Sequence, residues 1–504
     1  MKREMFRKLM AASLATVMVA GLAGCGDDNK ESSNASGSNS GSSVEQSSDQ
    51  PSGDASGSGD DVSKYPLLKD ADGNVYDLGG AEVSVYTWFG QNNPQTPYQD
   101  ALDEYHEWAQ KTYNFTLTWD STGSWGSFND FADLASGAKD TEGKLRMYML
   151  PAGQTAVMSA MNSNLMWDLT SLGVFDWTET RFTQNGVSDL YRKGDSVYAF
   201  SPDSPEPRTG VFFNATLLEQ LTGITADEMY DLQAKGEWTW AKFKEICELI
   251  YQNGDTNGDG ELDVYAIACN GRTFTNQVMY SNNTSLFKLG EDGKFIYQAD
   301  APATLEALEF QREIRQAPYW YNNPDTVTPG DTWDYFFAAF DEQGKTVFIP
   351  EDAYNINSGN RFDQADETNA GEYGFLMFPM GPNNKTGKYI NAYSDNIYAI
   401  PKCYDESQAK TIAAALNIWT ADVIPGYIGY NSRLDGYESG VYHERALNET
   451  LARMMSEGAF IDTGRLLPGV DVDSAFDDNS KAISEVLAEK ESAWKKAIED
   501  YNNK

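Results

Sequence analysis

The chain has 504 residues and a formal net charge of −38. So acidic a surface argues against nucleic acid and anionic lipid headgroups as partners. With only two histidines, His106 and His443, His-based zinc sites and Ser-His-Asp or Cys-His catalysis drop out, while carboxylate-pair chemistry stays open.

Lys2, Arg3, Arg7 and Lys8 form a basic start, and Leu9 to Ala23 is an almost unbroken apolar run. That is a charged n-region followed by a short h-region, too short and wrongly flanked for a membrane span. The sequence Leu22-Ala23-Gly24-Cys25 then resembles the lipobox of bacterial lipoproteins. The resemblance implies removal of residues 1–24, a lipid on Cys25, and a place on the outer face of the cytoplasmic membrane. The alternative is a chance cysteine beside an ordinary cleavage site. Residues 25–63 are mostly Ser, Gly, Asn and Asp. Such a tract lacks the apolar surface to offset the entropy of ordering, so it reads as a Gly/Ser tether.

About 440 residues follow, room for two cores. Strand composition over Ala81 to Phe89 is followed by helical spacing of Leu102, Tyr105, Ala109 and Tyr113. A strand over Phe115 to Trp119, a helix over Phe128 to Ser136 and a strand over Leu145 to Leu150 come next. This alternation predicts an α/β domain with a mostly parallel sheet. The Pro-rich stretch YAFSPDSPEPRTGVFFN, residues 198–214, interrupts it and reads as a crossing between domains. A second α/β region has a helix over Trp240 to Tyr251, a strand over Val264 to Ala268, a helix over Ala301 to Ile314 and a strand over Thr346 to Ile349. A strand over Asn396 to Ile400, a helix bearing Ile412, Leu416 and Trp419, and a C-terminal helix bearing Ile483, Leu487 and Trp494 complete the chain. Cys247, Cys269 and Cys403 lack the spacing of a disulfide framework or zinc site, and Cys247 falls on a helix stripe with Phe243, Ile246 and Ile250.

Several blocks in this order resemble extracellular solute-binding proteins of family 1, the maltose-binding type that serves ABC importers. They are GDSVYAFSPDSPEPRTGVFFNATLLEQLTGI, EWTWAKFKEICELIY, FDEQGKTVFI and SDNIYAIPKCYDESQAKTIAAALNIW. The resemblance implies a two-lobed α/β fold of the class II periplasmic-binding-protein type, each lobe a mostly parallel sheet flanked by helices and joined by hinge strands. The expected lobes are 64–200 with 385–425, and 201–384 with 426–504. It also implies a monomer without catalytic chemistry or catalytic cofactor, working with ABC permease subunits.

Ligands of open α/β sheets bind beyond the carboxyl ends of strands, and pockets favour domain interfaces. The expected cleft residues are therefore Trp88, Phe89, Gln91 and Asn92 after the first strand, Trp125 after the second, and Tyr148 and Gln154 around the third. The second lobe is expected to contribute Asn270, Arg272, Glu351, Asp352 and Tyr354, and Tyr393 and Asp395 precede the returning strand. Aromatic, acidic and amide groups suit a carbohydrate, whose C–H faces stack on rings and whose hydroxyls need acceptors. An oligosaccharide is the expected solute. A membrane-anchored glycoside hydrolase, which needs an opposed carboxylate pair, and a receptor for peptides or polyamines are the other classes in view. Trp238 is set aside as the N′ member of a hydrophobic staple with Phe243 around the Thr239 cap.

The segment DTNGDGELD, 255–263, places Asp255, Asn257, Asp259, Glu261 (through its carbonyl) and Asp263 at positions 1, 3, 5, 7 and 9 of an EF-hand-like loop. Position 12 is Ala266 where an EF-hand has a bidentate Glu, and the loop leads to a strand. A structural calcium ion and a metal-free Asx/Gly turn are both compatible with the spacing.

Overall fold

The computed structural model describes residues 63–503, apart from 71, 91–96, 124–127, 203–204, 207, 323–331, 357–361, 363–371, 425–436, 438–440, 442, 457–458, 465 and 473. Cys25, the signal segment, the tether up to residue 62, Gln91, Asn92 and Trp125 lie outside the described residues.

Strands β1 (Ala81–Tyr86), β2 (Phe115–Asp120) and β3 (Leu145–Pro151) are followed by the short pieces β4 (Arg192–Lys193), β5 (Ser196–Val197) and β6 (Ala199–Phe200). The first main sheet has five strands in the order β2-β1-β3-β14-β6, where β14 is Asn396–Ala399. Alternation in β1 buries Val83 and Val85 on one face, with Leu117 and Met147 from its parallel neighbours. That face packs on the helix Pro97–Thr112 through Tyr105 and Ala109, and on the helix Glu406–Trp419 through Ile412 and Leu416. Tyr148 and Leu150 bury the opposite face, with Phe131, Leu134 and Val157.

The second main sheet runs β12-β7-β11-β8. Its strands are β7 (Thr209–Asn214), β8 (Tyr265–Ile267), β11 (Thr346–Asp352) and β12 (Tyr373–Leu376). Between β8 and β11 the hairpin β9 (Phe287–Leu289) and β10 (Phe295–Tyr297) stands apart. All six residues of β7 are buried, as a central strand covered on both faces requires. Gly210 of β7 and Gly374 of β12 each lie under a ring of the opposing strand, Phe375 and Phe213 respectively. A Cβ at either position would run into that ring, so only glycine lets these strands close.

The α/β class and the sequence-predicted strands and helices are present. The sheets are more mixed than expected. In the first, β1–β2 and β1–β3 are parallel, but β14 runs antiparallel to both β3 and β6. In the second only β11–β8 is parallel. The physical reason is the wiring: β14 and β7 enter their sheets from crossing segments and not through a right-handed helical crossover, so nothing obliges them to run parallel.

Two described segments connect the sheets. The first leads from β6 to β7. The second leads from β13 (Asn391–Tyr393) to β14 through Ser394 and Asp395. Beside the second, β15 (Ala459–Ile461) pairs parallel with β13. Trp238 is fully buried, and its indole N–H donates to the Met377 carbonyl at 2.8 Å. Its ring meets Phe243 edge-on, while the Thr239 hydroxyl caps the helix Trp240–Asn253, as a staple demands. Cys247 and Cys269 are buried free thiols.

Candidate functional site

At the carboxyl end of β1 the chain leaves the sheet as Trp88-Phe89. Phe89 is 36% exposed and Trp88 is half-buried. Their ring centroids are 5.2 Å apart, and Phe89 meets Trp119 of β2 at 6.1 Å. The Trp119 indole N–H donates to the Phe89 carbonyl at 2.9 Å, fixing this aromatic group on the strand ends. Trp119 was not among the expected residues; its position at the carboxyl end of β2 was the available signal. Gln154 caps the helix Thr155–Asn162 by position but makes no capping bond through its side chain.

Tyr148 is placed differently. It is fully buried between Tyr86 and Phe131, and its hydroxyl donates to Asp130 Oδ2 at 2.6 Å. Strand alternation turns it under the helix Phe128–Ala135, so its ring serves the core.

In the second lobe, Asn270 caps the helix Gly271–Ser281, its side chain accepting from the backbone N–H groups of Arg272 and Thr273. Arg272 pairs with Asp471 at 2.7 Å. These two side chains organise the start of that helix and are not drawn into the acidic group described next.

Glu351, Asp352 and Asp395 come together around a residue the sequence reading passed over, Arg208. The guanidinium pairs with Glu206 at 2.6 Å and Asp352 at 3.6 Å, and its Nε donates to the Ser394 carbonyl at 3.0 Å. Burial works against the charge on Arg208, but Glu206, Asp352, Asp395 and Tyr437 outweigh it and raise its pKa. Arg208 lies in the PEPR segment of the first crossing; a lone cation among prolines and acids was the signal that could have found it.

Thr209 Oγ1 donates to Asp352 Oδ1 at 3.0 Å across the β7–β11 register. Glu351 is 4% exposed, and its Oε1 accepts the Asp352 N–H at 2.9 Å. Burial first, and the Asp352 charge second, hold the Glu351 carboxyl well above the usual carboxylate range. Burial also raises Asp352, while Arg208 and Thr209 oppose it. Tyr354, just beyond, is 38% exposed. Asp395 is turned inward: Asn185 Nδ2 donates to it at 2.8 Å, and so does the Asn396 N–H. Tyr393 is buried, with Gly186 close against its hydroxyl.

The second lobe thus presents one exposed ring beside the partly screened Asp352 at the end of β11, with Glu351 buried behind it, and the first lobe presents an aromatic group at the end of β1. Such surfaces can stack on a ring-shaped solute and accept from its hydroxyls.

In the 255–263 loop the side chains point at the loop's own backbone. Asp255 accepts the N–H groups of Gly258, Asp259 and Gly260. Asp263 accepts from the Thr256 N–H and hydroxyl, the Asn257 N–H and the Asn257 amide. Three of these bonds fall on Oδ2 and one on Oδ1, so Asp263 serves as an anchor of the turn. Among the described residues no three His, Cys, Asp or Glu side chains converge in a metal-holding group.

No protein-family model matches the chain, and no curated protein matches it. Solved structures do. UgpB from Mycobacterium tuberculosis, in complex with glycerophosphocholine, is 14% identical, with 84% of this chain and 100% of that one covered and a TM-score of 0.54. The GacH receptor of Streptomyces glaucescens, solved unliganded and with acarbose, is 13% identical, covering 84% and 99% at 0.52. The ABC transporter associated binding protein from B. animalis subsp. lactis, in complex with beta-1,6-galactobiose, is 14% identical, covering 84% and 98% at 0.51. Two helix-flanked mixed sheets joined by crossing segments, matched over nearly the full length of these proteins, give the chain the two-lobed α/β fold of the solute-binding proteins of ABC transporters.

Proposed function

We propose that this protein captures an oligosaccharide between its lobes and hands it to an ABC permease, without chemistry of its own. What supports the reading is an aromatic group at the end of β1 and, separately, a ring and an acid at the end of β11, on a fold shared with receptors solved with acarbose and beta-1,6-galactobiose. Among the described residues the cation of the acidic group is Arg208, and it already has three partners. Among the described residues the group thus offers acceptors more than donors, which suits neutral sugars. Isothermal titration against a panel of neutral oligosaccharides should give saturable binding. Heat from glycerophosphocholine, peptides or polyamines alone would move the protein to another solute class. Release of shorter sugars would make it a hydrolase.

Lipid attachment at Cys25 belongs to the same proposal and rests on the Leu22-Ala23-Gly24-Cys25 motif. Cys25→Ala should leave the body folded and release it from membranes; wild-type protein without lipid on its N-terminal peptide would contradict it. A weak calcium site in the loop is a third part. Asp255, Asn257 and Asp259 keep unused lone pairs beside the Glu261 carbonyl, fewer oxygens than the six to eight calcium takes, so water would supply the rest.

A further inference from the structure

The geometry points to Arg208 as an interlobe strut, tying Asp352 at the end of β11 to the Ser394 carbonyl of the second crossing and so setting the angle between the lobes before any solute binds. On its own side, Arg208 belongs to the second lobe. It directly precedes β7, and its carbonyl accepts the Ala353 N–H at 3.0 Å, stitching it to the end of β11. Asp352 is itself fixed by Thr209.

The far side belongs to the first lobe. Nε reaches Ser394, whose neighbour Asp395 accepts the Ala152 N–H through its carbonyl at 2.9 Å, just past β3. The Asp395 carboxylate takes Asn185 and the Asn396 N–H at the start of β14. Through the backbone of Ser394 and Asp395, Arg208 therefore links the carboxyl end of β11 to that of β3.

Arginine suits the task because its planar fork holds several acceptors in fixed directions, which a lysine ammonium on a flexible stem cannot do. The group is partly screened, with side-chain exposures of 20% for Arg208, 15% for Glu206 and 25% for Asp352, so its bonds are less weakened by water than those of surface pairs. The Asp352 arm is the longest, at 3.6 Å an ion pair beyond hydrogen-bond length. The bond that leaves the second lobe is the one from Nε to the Ser394 carbonyl, at 3.0 Å.

The test uses ligand-free protein, so it stands apart from the identity of the solute. Spin labels are placed at Lys111→Cys, exposed in the last turn of the first-lobe helix Pro97–Thr112, and at Lys235→Cys, following the second-lobe helix Ala226–Ala234. Cys25 and Cys403 are replaced by Ser, and Cys247 and Cys269 are buried. Wild type should give one narrow interlobe distance distribution. Arg208→Gln should widen it roughly twofold, with circular dichroism unchanged. Arg208→Lys should restore it only in part, and Asp352→Asn should widen it less than Arg208→Gln. If Arg208→Gln does not fold, Arg208→Lys, which keeps the charge but loses the Nε bond to Ser394, carries the test. A distribution unchanged from wild type in a folded Arg208→Gln or, failing that, Arg208→Lys overturns the strut.

Discussion

The Tyr148 hydroxyl donates to Asp130 Oδ2 at 2.6 Å, joining β3 to the helix Phe128–Ala135 beneath the aromatic end of the first lobe. Lys139 pairs with the other oxygen of the same carboxylate. Burial alone would raise the Asp130 pKa, but the Lys139 and Tyr148 contacts outweigh it and lower it.

Tyr148→Phe should therefore cost about 1.5–3 kcal/mol, the range for a hydrogen bond to a charged acceptor, and leave solute affinity unchanged. A depressed carboxyl pKa gives stability that is complete above the ordinary range near ~4 and lost as pH falls through the lower folded value. The difference between wild type and variant should thus be full at neutral pH and shrink in acid. Urea melts at neutral pH and at pH ~3 check this; a loss of sugar affinity at unchanged stability would return Tyr148 to the binding surface.

Glu351 has the opposite sign. Its folded pKa lies above the unfolded one, so its contribution to stability declines as pH rises from the ordinary carboxyl range towards the folded value. Glu351→Gln keeps the oxygen that accepts the Asp352 N–H and removes the buried acid. The variant should be more stable than wild type at neutral pH by roughly 1 kcal/mol, with the gain vanishing below pH ~4. Thermal melts across that range check it, and a variant less stable at neutral pH contradicts it.

Calcium should raise the melting temperature only at about 0.1–1 mM or above, the range of weak extracellular sites. Asp255→Ala should abolish the increment. It should also lower the baseline stability, because three N–H groups of the loop lose their acceptor. Equal melting temperatures in millimolar calcium and in chelator would leave the segment a turn.

Helices with a strong 3.6-residue stripe, such as Trp240–Asn253 with Phe243, Ile246, Cys247 and Ile250 buried, were legible from periodicity. So were β1 to β3, whose alternation or apolar runs are bounded by turn residues. The antiparallel entry of β14 was not, because strand direction is set by a crossing whose partners are distant in sequence. The helix Gly271–Ser281 was also missed: it is buried on nearly all sides, so it carries no polar face to mark a period. The rule that solutes lie beyond strand ends pointed to the ends of β1 and β11 as candidates. Tyr148 shows that rule's weakness, since neighbouring residues of one strand end face opposite sides. Arg208 needed the fold, because its partners lie 2, 144 and 186 residues away in sequence.

The central claim is that one solute touches both lobes, since a ligand that did not would have no differential affinity for the closed form. It is tested most directly by small-angle scattering on wild type, Trp88→Ala and Asp352→Ala, with and without the best sugar of the panel. The account predicts compaction of the wild type on binding. Each variant should weaken binding by roughly 1–3 kcal/mol, about tenfold to a hundredfold, and reduce compaction at fixed sugar concentration. Binding with no change in dimensions, or with affinity untouched by both substitutions, would contradict it.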